Sequence, residues 1–240
     1  MTSEIASLIA PTGVLRAGIN MGNFLLVTGR TASGDPAGVA PDMAATLAER
    51  LGVPITYVPY EKPDLLAEAA DKDAWDVGCL GAEPARAKKI AFTEAYCEIE
   101  ATYLVPAGSS LRRASEVDAP GKRIVVTAGT AFGLWLEANI KQASLSPVKG
   151  SDETYRRFAE DKFDALANLK PRLLQDLEAM PDVRMLEGNF TTVQQAMGVP
   201  RKSEAAVGFL RAFVDEAVTS GLVAGLIEKH KVRGLSVAGR

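Results

Sequence analysis

The chain has 240 residues, 47% hydrophobic and 24% charged, with a formal net charge of −3, which is material for one large domain or two smaller lobes with real cores. Scattered basic residues and a slightly negative balance give no long-range pull on nucleic acid, and no apolar run is long enough to span a bilayer. Two cysteines, one histidine and glycines 121, 129 and 133 amount to neither a disulfide framework, a metal site nor a phosphate loop, so no metal and no cofactor are expected.

The N-terminus, MTSEIASLIAPTG, lacks a basic n-region and has only a short apolar patch over residues 5–10. It is not a secretory signal as it stands, which leaves a cytoplasmic protein or one whose export signal has been removed. VLRAGIN (14–20) reads as a strand ending in polar residues, and TGRTASGDPAG as a glycine-rich surface loop. PDMAATLAERLG places Met43, Leu47 and Leu51 on one helical face with Gly52 as the stop. VPITYV is a β-branched strand, KPDLLAEAADKD a short helix and WDVGCL another strand. EIEATYLVPAG (98–108) is a longer extended run.

A second alternation follows. KRIVVT is a strand, AGTAFGLWLEANI a helix after a Gly–Thr turn, and residues 145–148 a short strand. SDETYRRFAED is a helix with Ser151 as N-cap, FDALANL a strand, KPRLLQDLEAM a helix and DVRML a strand. GNFTTVQQAMGVPR is extended, and SEAAVGFLRAFVDEAVTSG is a helix striped by Val207, Leu210, Val214 and Val218, with GLVAGLIEKHKV as the last helix. The expected class is α/β, with mostly parallel sheets: two lobes, one from residues 1–104 and 191–240 and the other from 105–190, joined by two crossings near 99–107 and 188–199. Ligands of such sheets bind at the carboxyl ends of the strands, so the lobes are expected to close on a ligand in the cleft they share.

The most informative stretch is residues 75–96, WDVGCLGAEPARAKKIAFTEAY. A buried strand ends at Gly81, a turn through Pro84 follows, and a basic helical start carries Arg86, Lys88 and Lys89. Helix N-termini favour anions, and Arg grips a carboxylate with two parallel hydrogen bonds. An anion-binding corner is one reading; a surface ion pair between Arg86 and Glu83 is the other. Trp75 and Trp135 are expected in helix–sheet cores, Asp42 and Glu49 on a solvated helix face, and His230 as a helix C-terminal cap. Cys79 and Cys97 are expected as free thiols, with a bridge between them as the alternative.

The ordered set VLRAGIN, GVAPDMAATLAERLGVPITYVPY, WDVGCLGAEPARAKKIAFTEAY, GKRIVVTAGTAF and FAEDKFDALANLKP through QQAMGVPR resembles the polar amino acid family of bacterial solute-binding proteins, the receptors of ABC importers. The resemblance covers nearly the whole chain. It implies a type II periplasmic-binding fold, a periplasmic monomer, a membrane transporter component as partner and no catalysis. It also implies that Arg86 holds a ligand carboxylate, helped by Thr130 at a helix start, and that Asn20, Asn23 and Phe24 line the side-chain end. Gln194 is a candidate contact in the return crossing, where it and Gln195 otherwise satisfy hinge backbone.

Two positions depart from the family pattern. Gly81 stands where a hydroxyl residue usually lies, five positions before the arginine, and Leu169 where an acidic residue usually receives the ligand's ammonium group. A buried ammonium without a counter-charge costs several kcal/mol, and the polar neighbours, Asn168 and Lys170, which are ligand-contact candidates with Gly81, supply none. The expected ligand is therefore a small carboxylate without an α-amino group. The competing readings are an enzyme on the same fold, resembling dehydratases of cyclic carboxylic acids, with Lys170, Glu98 or Glu100 as acid–base candidates, and a cytosolic ligand sensor.

Overall fold

A computed structural model describes residues 2–239. In chain order the elements are α1 (Thr2–Ile9), β1 (Leu15–Asn20), β2 (Gly29–Arg30), β3 (Pro36–Ala37), α2 (Val39–Leu51), β4 (Ile55–Tyr60), α3 (Pro63–Glu68), β5 (Val77–Gly81), α4 (Pro84–Ala87) and β6 (Ile90–Pro106). Then come β7 (Arg123–Thr127), α5 (Ala131–Asn139), β8 (Ser144–Val148), α6 (Ser151–Glu160), β9 (Ala165–Leu169), α7 (Lys170–Ala179), β10 (Val183–Met185), β11 (Thr191–Pro200), α8 (Val207–Thr219), α9 (Leu222–Lys229) and β12 (Ser236–Val237). The fold is α/β and divides into two compact units, one built from the residues up to Glu98 and from Gln194 onward, the other from Ile99 to Val193. No helix among the described residues is long and apolar enough to cross a membrane.

In the first unit the strand order is β4-β1-β5-β11-β6. β1 is parallel to β4 and to β5, while β11 runs antiparallel to β5. Gly18 and Gly78 pair across β1 and β5, and a Cβ on either would approach the Trp75 ring to 3.1 Å. The two bare backbones thus make the seat for a fully buried indole, whose Nε1 donates to Leu66 O at 3.1 Å. Arg16 at the start of β1 bonds both carboxylate oxygens of buried Asp76 just before β5. That two-pronged pair fixes the register of the two central strands from their amino ends. α2 buries Met43, Ala44, Leu47 and Leu51, and Gly52 ends it in the left-handed conformation.

In the second unit the order is β6-β9-β7-β8, with β9 and β8 parallel to β7 and β6 antiparallel to β9. Strand alternation sorts the side chains into two cores. Ala101, Tyr103, Ile124, Val126, Ala165 and Ala167 face one side with Phe132 and Leu136 of α5. Leu104, Val125 and Leu166 face the other with Phe158 of α6 and Leu173 of α7.

Several expectations change. β6 begins at Ile90, eight residues before the extended run read from sequence, and in this early part Thr93 Oγ1 accepts from Met197 N of β11 at 3.3 Å. The glycine-rich loop carries the short β2–β3 pair. The N-cap of α6 is Gly150, with Ser151 already helical. On α8 the stripe is Leu210, Phe213, Val214 and Ala217, and Val207 and Val218 lie at its margin. Cys79 and Cys97 are both buried free thiols, as expected from sequence. Asp42 is not merely solvated: its Oδ2 accepts from Lys229 Nζ at 2.7 Å and lies 2.8 Å from His230 Nε2, tying α2 to the end of α9.

Candidate ligand-binding site

In the first unit, β1 and β5 are parallel neighbours, so their carboxyl ends, Asn20 and Gly81, reach the same sheet edge. Both asparagines of the β1 turn are buried, and they shape it through their side chains. Asn20 Oδ1 accepts from Gly22 N at 3.1 Å, and Asn23 Oδ1 accepts from Leu25 N at 3.2 Å. Gly22 is required there, since a Cβ would meet Glu61 O at 2.8 Å. Phe24 is 37% exposed and is not a core side chain.

At the end of β5 every residue is buried. Gly81 pairs with Gln195, and Ala82 N bonds Gln194 O, so the chain is held by β11 as it leaves the sheet. Glu83 is extended and Pro84 opens α4, which lasts a single turn. So short a helix carries little macrodipole, and the anion-binding capacity of this corner belongs to the guanidinium rather than to a helix start. Arg86 is only 5% exposed, and its Nη1 donates to Gly81 O at 2.9 Å. Burial lowers its pKa to about 10, against the opposing fields of Glu83 and Asp64, so it stays charged at neutral pH.

Glu83 is buried as well, at 8% exposure. The surface ion pair weighed from sequence is therefore not what the structure contains. Burial raises the Glu83 carboxyl to about 7, even with Arg86 pulling it down. Sequence reasoning weighed Glu83 only as a counter-ion. A Glu directly before Pro at the end of a fully apolar strand was the available signal, because such a turn holds the side chain against the sheet.

The second unit repeats the plan. Thr130 lies after β7 and Asn168 and Leu169 end β9, its parallel neighbour. Thr130 is the N-cap of α5: its Oγ1 accepts from Gly133 N at 3.1 Å and donates to Thr127 O at 2.8 Å, so its hydroxyl hydrogen is already in use. Asn168 Nδ2 donates to Tyr155 Oη at 3.0 Å, Tyr155 donates to Asp176, and Arg172 Nε bonds Asp176 at 2.9 Å. Leu169 packs against the apolar cluster of β6, β7 and α5. Lys170 Nζ bonds Glu100 Oε2 at 2.5 Å, and Asn189 bonds the other oxygen of that carboxylate at 3.2 Å. Gln194 Nε2 donates to Glu98 at 3.0 Å. All three acid–base candidates named from sequence, Lys170, Glu98 and Glu100, thus have partners within the protein.

Comparison with known proteins places this geometry. The chain is 27% identical over 225 residues to a cyclohexadienyl dehydratase of Pseudomonas aeruginosa, covering 90% of this chain and 81% of that protein. In structure it is similar to the cysteine-binding protein of Campylobacter jejuni, with a TM-score of 0.72 at 16% identity, covering 99% of this chain and 100% of that one. It is also similar to an ancestral amino acid-binding protein described as a precursor of cyclohexadienyl dehydratase, with a TM-score of 0.68 at 20% identity over 95% and 99% of the two chains. These likenesses establish the type II periplasmic-binding fold. The family model for bacterial extracellular solute-binding proteins, family 3, matches residues 19–232, and the chain belongs to that family.

Proposed function

We propose that the protein is a solute-binding protein that takes up a small carboxylate lacking an α-amino group, acting in the periplasm as the receptor of an ABC-type importer. The observation that carries this reading is the burial of Arg86, at 5% exposure, where β5 leaves the sheet. A desolvated guanidinium is strongly favoured by an anionic partner of matching shape. Thr130 supports it from the second unit by organising the start of α5. Asn20, Asn23 and Phe24 and the backbone at Gly81 complete the lining on the first unit, and Gln194 of β11 adjoins the end of β5, where its carbonyl accepts from Ala82 N.

The amine-free ligand follows from what occupies the end of β9. Leu169 is committed to a core and Asn168 to Tyr155, and the carboxylate beside them, Glu100, is already taken by Lys170 and Asn189. An ammonium placed there would lose its water without gaining a carboxylate free to receive it.

Thermal unfolding against matched pairs, such as phenylalanine and phenylpyruvate, alanine and pyruvate, or glutamate and 2-oxoglutarate, tests the reading. Ligand at a hundredfold excess over Kd stabilises the folded state by about 2.7 kcal/mol. Keto acids should raise the midpoint and amino acids should not. If amino acids win, the amine-free assignment falls; if no carboxylate acts, the carboxylate-receptor reading falls.

A second reading, dehydration of a cyclic carboxylic acid, is favoured by the Pseudomonas relative's name and by a buried carboxyl close to neutrality at Glu83. Appearance of an aromatic product from a cyclohexadienyl carboxylic acid would establish it.

A further inference from the structure

Among the described residues, Glu83 is the one buried carboxyl for which no hydrogen bond within the fold is found. Its side chain is more than nine-tenths buried. It caps α4 by position, yet makes no side-chain capping bond, and among the described residues no hydrogen bond to its carboxyl is found. The other buried acids differ: Asp76 holds Arg16, and Asp176 holds Tyr155 and Arg172. Its carboxyl oxygens are not fully enclosed although the residue as a whole is buried, so the carboxyl is held at the corner with little solvent to stabilise its charge, where a residue in a turn could have pointed outward. The backbone prevents that escape. Arg86 N and Ala87 N both bond Glu83 O, and Ala82 N is bonded to β11, so Glu83 is fixed between two anchored residues.

The charges around it are few. Arg86 acts on it directly, and Asp64 of α3 acts on Arg86. Lys88 is exposed, and Lys89 is turned away to Asp71 at 2.8 Å. One buried cation and one buried acid therefore share a corner at the carboxyl end of β5.

We infer that Glu83 is a specificity-determining residue of the Arg86 corner, present in the liganded state as a neutral carboxyl that donates its O–H to the ligand's anionic group. This rests on the carboxylate-receptor reading and deepens it. A hydroxyl side chain is missing at Gly81, and the Glu83 O–H supplies a donor two residues further on. The proton balance is simple: an ionised Glu83 takes one proton from solvent as the anion binds, because two carboxylates cannot both stay charged at one desolvated guanidinium. The ligand keeps its charge against Arg86. The direction of the Glu83 shift agrees, since burial already holds half of the population neutral near pH 7.

The consequence is an affinity that falls as pH rises. With a free-state titration near 7, the apparent Kd should increase about tenfold between pH 6 and pH 8. Arg86, titrating near 10, stays charged across that window. The test is calorimetric titration of wild type and Glu83→Gln with pyruvate, phenylpyruvate, 2-oxoglutarate and benzoate from pH 6 to pH 8, in two buffers of different ionisation enthalpy. The expected result is proton uptake and the tenfold weakening in wild type, with neither in Glu83→Gln. Equal pH profiles in the two proteins overturn the inference and leave the carboxylate reading standing. Tighter binding of phenylalanine at high pH, lost in Glu83→Gln, also overturns it and makes Glu83 an ammonium receptor. Silence from all four acids at pH 6 removes the carboxylate reading itself and this inference with it. Carbon-13 carboxyl shifts of the unliganded protein give a check independent of ligand: a Glu83 midpoint below about 5 overturns the assignment.

Discussion

Arg86 Nη1 donates to the carbonyl oxygen of Gly81 at 2.9 Å, so the guanidinium is held by the residue whose side chain the corner lacks. Glycine at this position contributes its backbone oxygen, which orients the arginine. The fork is thereby pre-set, and less rotamer entropy is lost when a ligand arrives. Arg86→Lys keeps the charge but not the planar, two-pronged geometry. It should weaken binding of the preferred carboxylate at least tenfold, about 1.4 kcal/mol, and Arg86→Ala should abolish the ligand-induced rise in midpoint. Calorimetric titration of the three proteins checks this. Unchanged affinity in Arg86→Lys would mean that the guanidinium serves the fold and not the ligand.

Leu169 gives the complementary test. It ends β9 opposite Ala101 of β6 and packs on the neighbouring apolar cluster. Leu169→Asp would add the carboxylate that an α-ammonium needs, at the cost of burying a charge beside apolar side chains. The variant should lose about 1–3 kcal/mol of stability in the absence of ligand, and amino acids should restore part of that loss while their keto analogues do not. Unfolding midpoints with alanine and pyruvate decide it. Equal shifts from the two ligands would show that position 169 does not face the amino end.

Much of this frame was legible because burial period and element type agree. Strands of alternating pattern in the second unit sort Val125 from Val126 and Leu166 from Ala167 onto opposite cores, and Gly52 marks the end of α2 as its composition suggests. What escaped depends on partners distant in sequence. In the early part of β6 Thr93 meets Met197 of β11, and Asp42 is drawn from solvent by Lys229 and His230. Neither pairing leaves a local signature. Nor did the resemblance to a family disclose that Asn168 would be committed to Tyr155, since a polar residue at a strand end looks the same whether it serves ligand or core.

That commitment predicts a stability effect. Tyr155 accepts from Asn168 and donates to buried Asp176, and burial together with that carboxylate pushes its phenol well above the ordinary range. Tyr155→Phe removes one hydroxyl and leaves both neighbours short of a partner. The cost should be about 1–3 kcal/mol, read from the urea midpoint at constant slope. A loss below about 0.5 kcal/mol would mean that Asn168 rotates freely to another partner, and would return it to the list of residues open to ligand.

Asp42 links α2 to the end of α9 and supplies the clearest pH dependence of stability. Burial alone would raise its pKa, but the hydrogen bonds from Lys229 and His230 outweigh that and hold it below the usual value. An acid with a lowered folded-state pKa stabilises the fold above its unfolded value, and the contribution disappears as pH falls through the folded one. Asp42→Asn should therefore cost on the order of 1 kcal/mol at pH 7, about 2–4 °C in midpoint for a chain of this size. Wild type and variant should begin to converge as the pH falls below the usual carboxylate value of about 4, and should meet once it has passed through the lower folded-state value. Parallel curves from pH 7 to pH 3 would show that the contacts of Asp42 act through packing and not through its charge. Convergence would make the α2–α9 junction one of the first places where acid loosens the first unit.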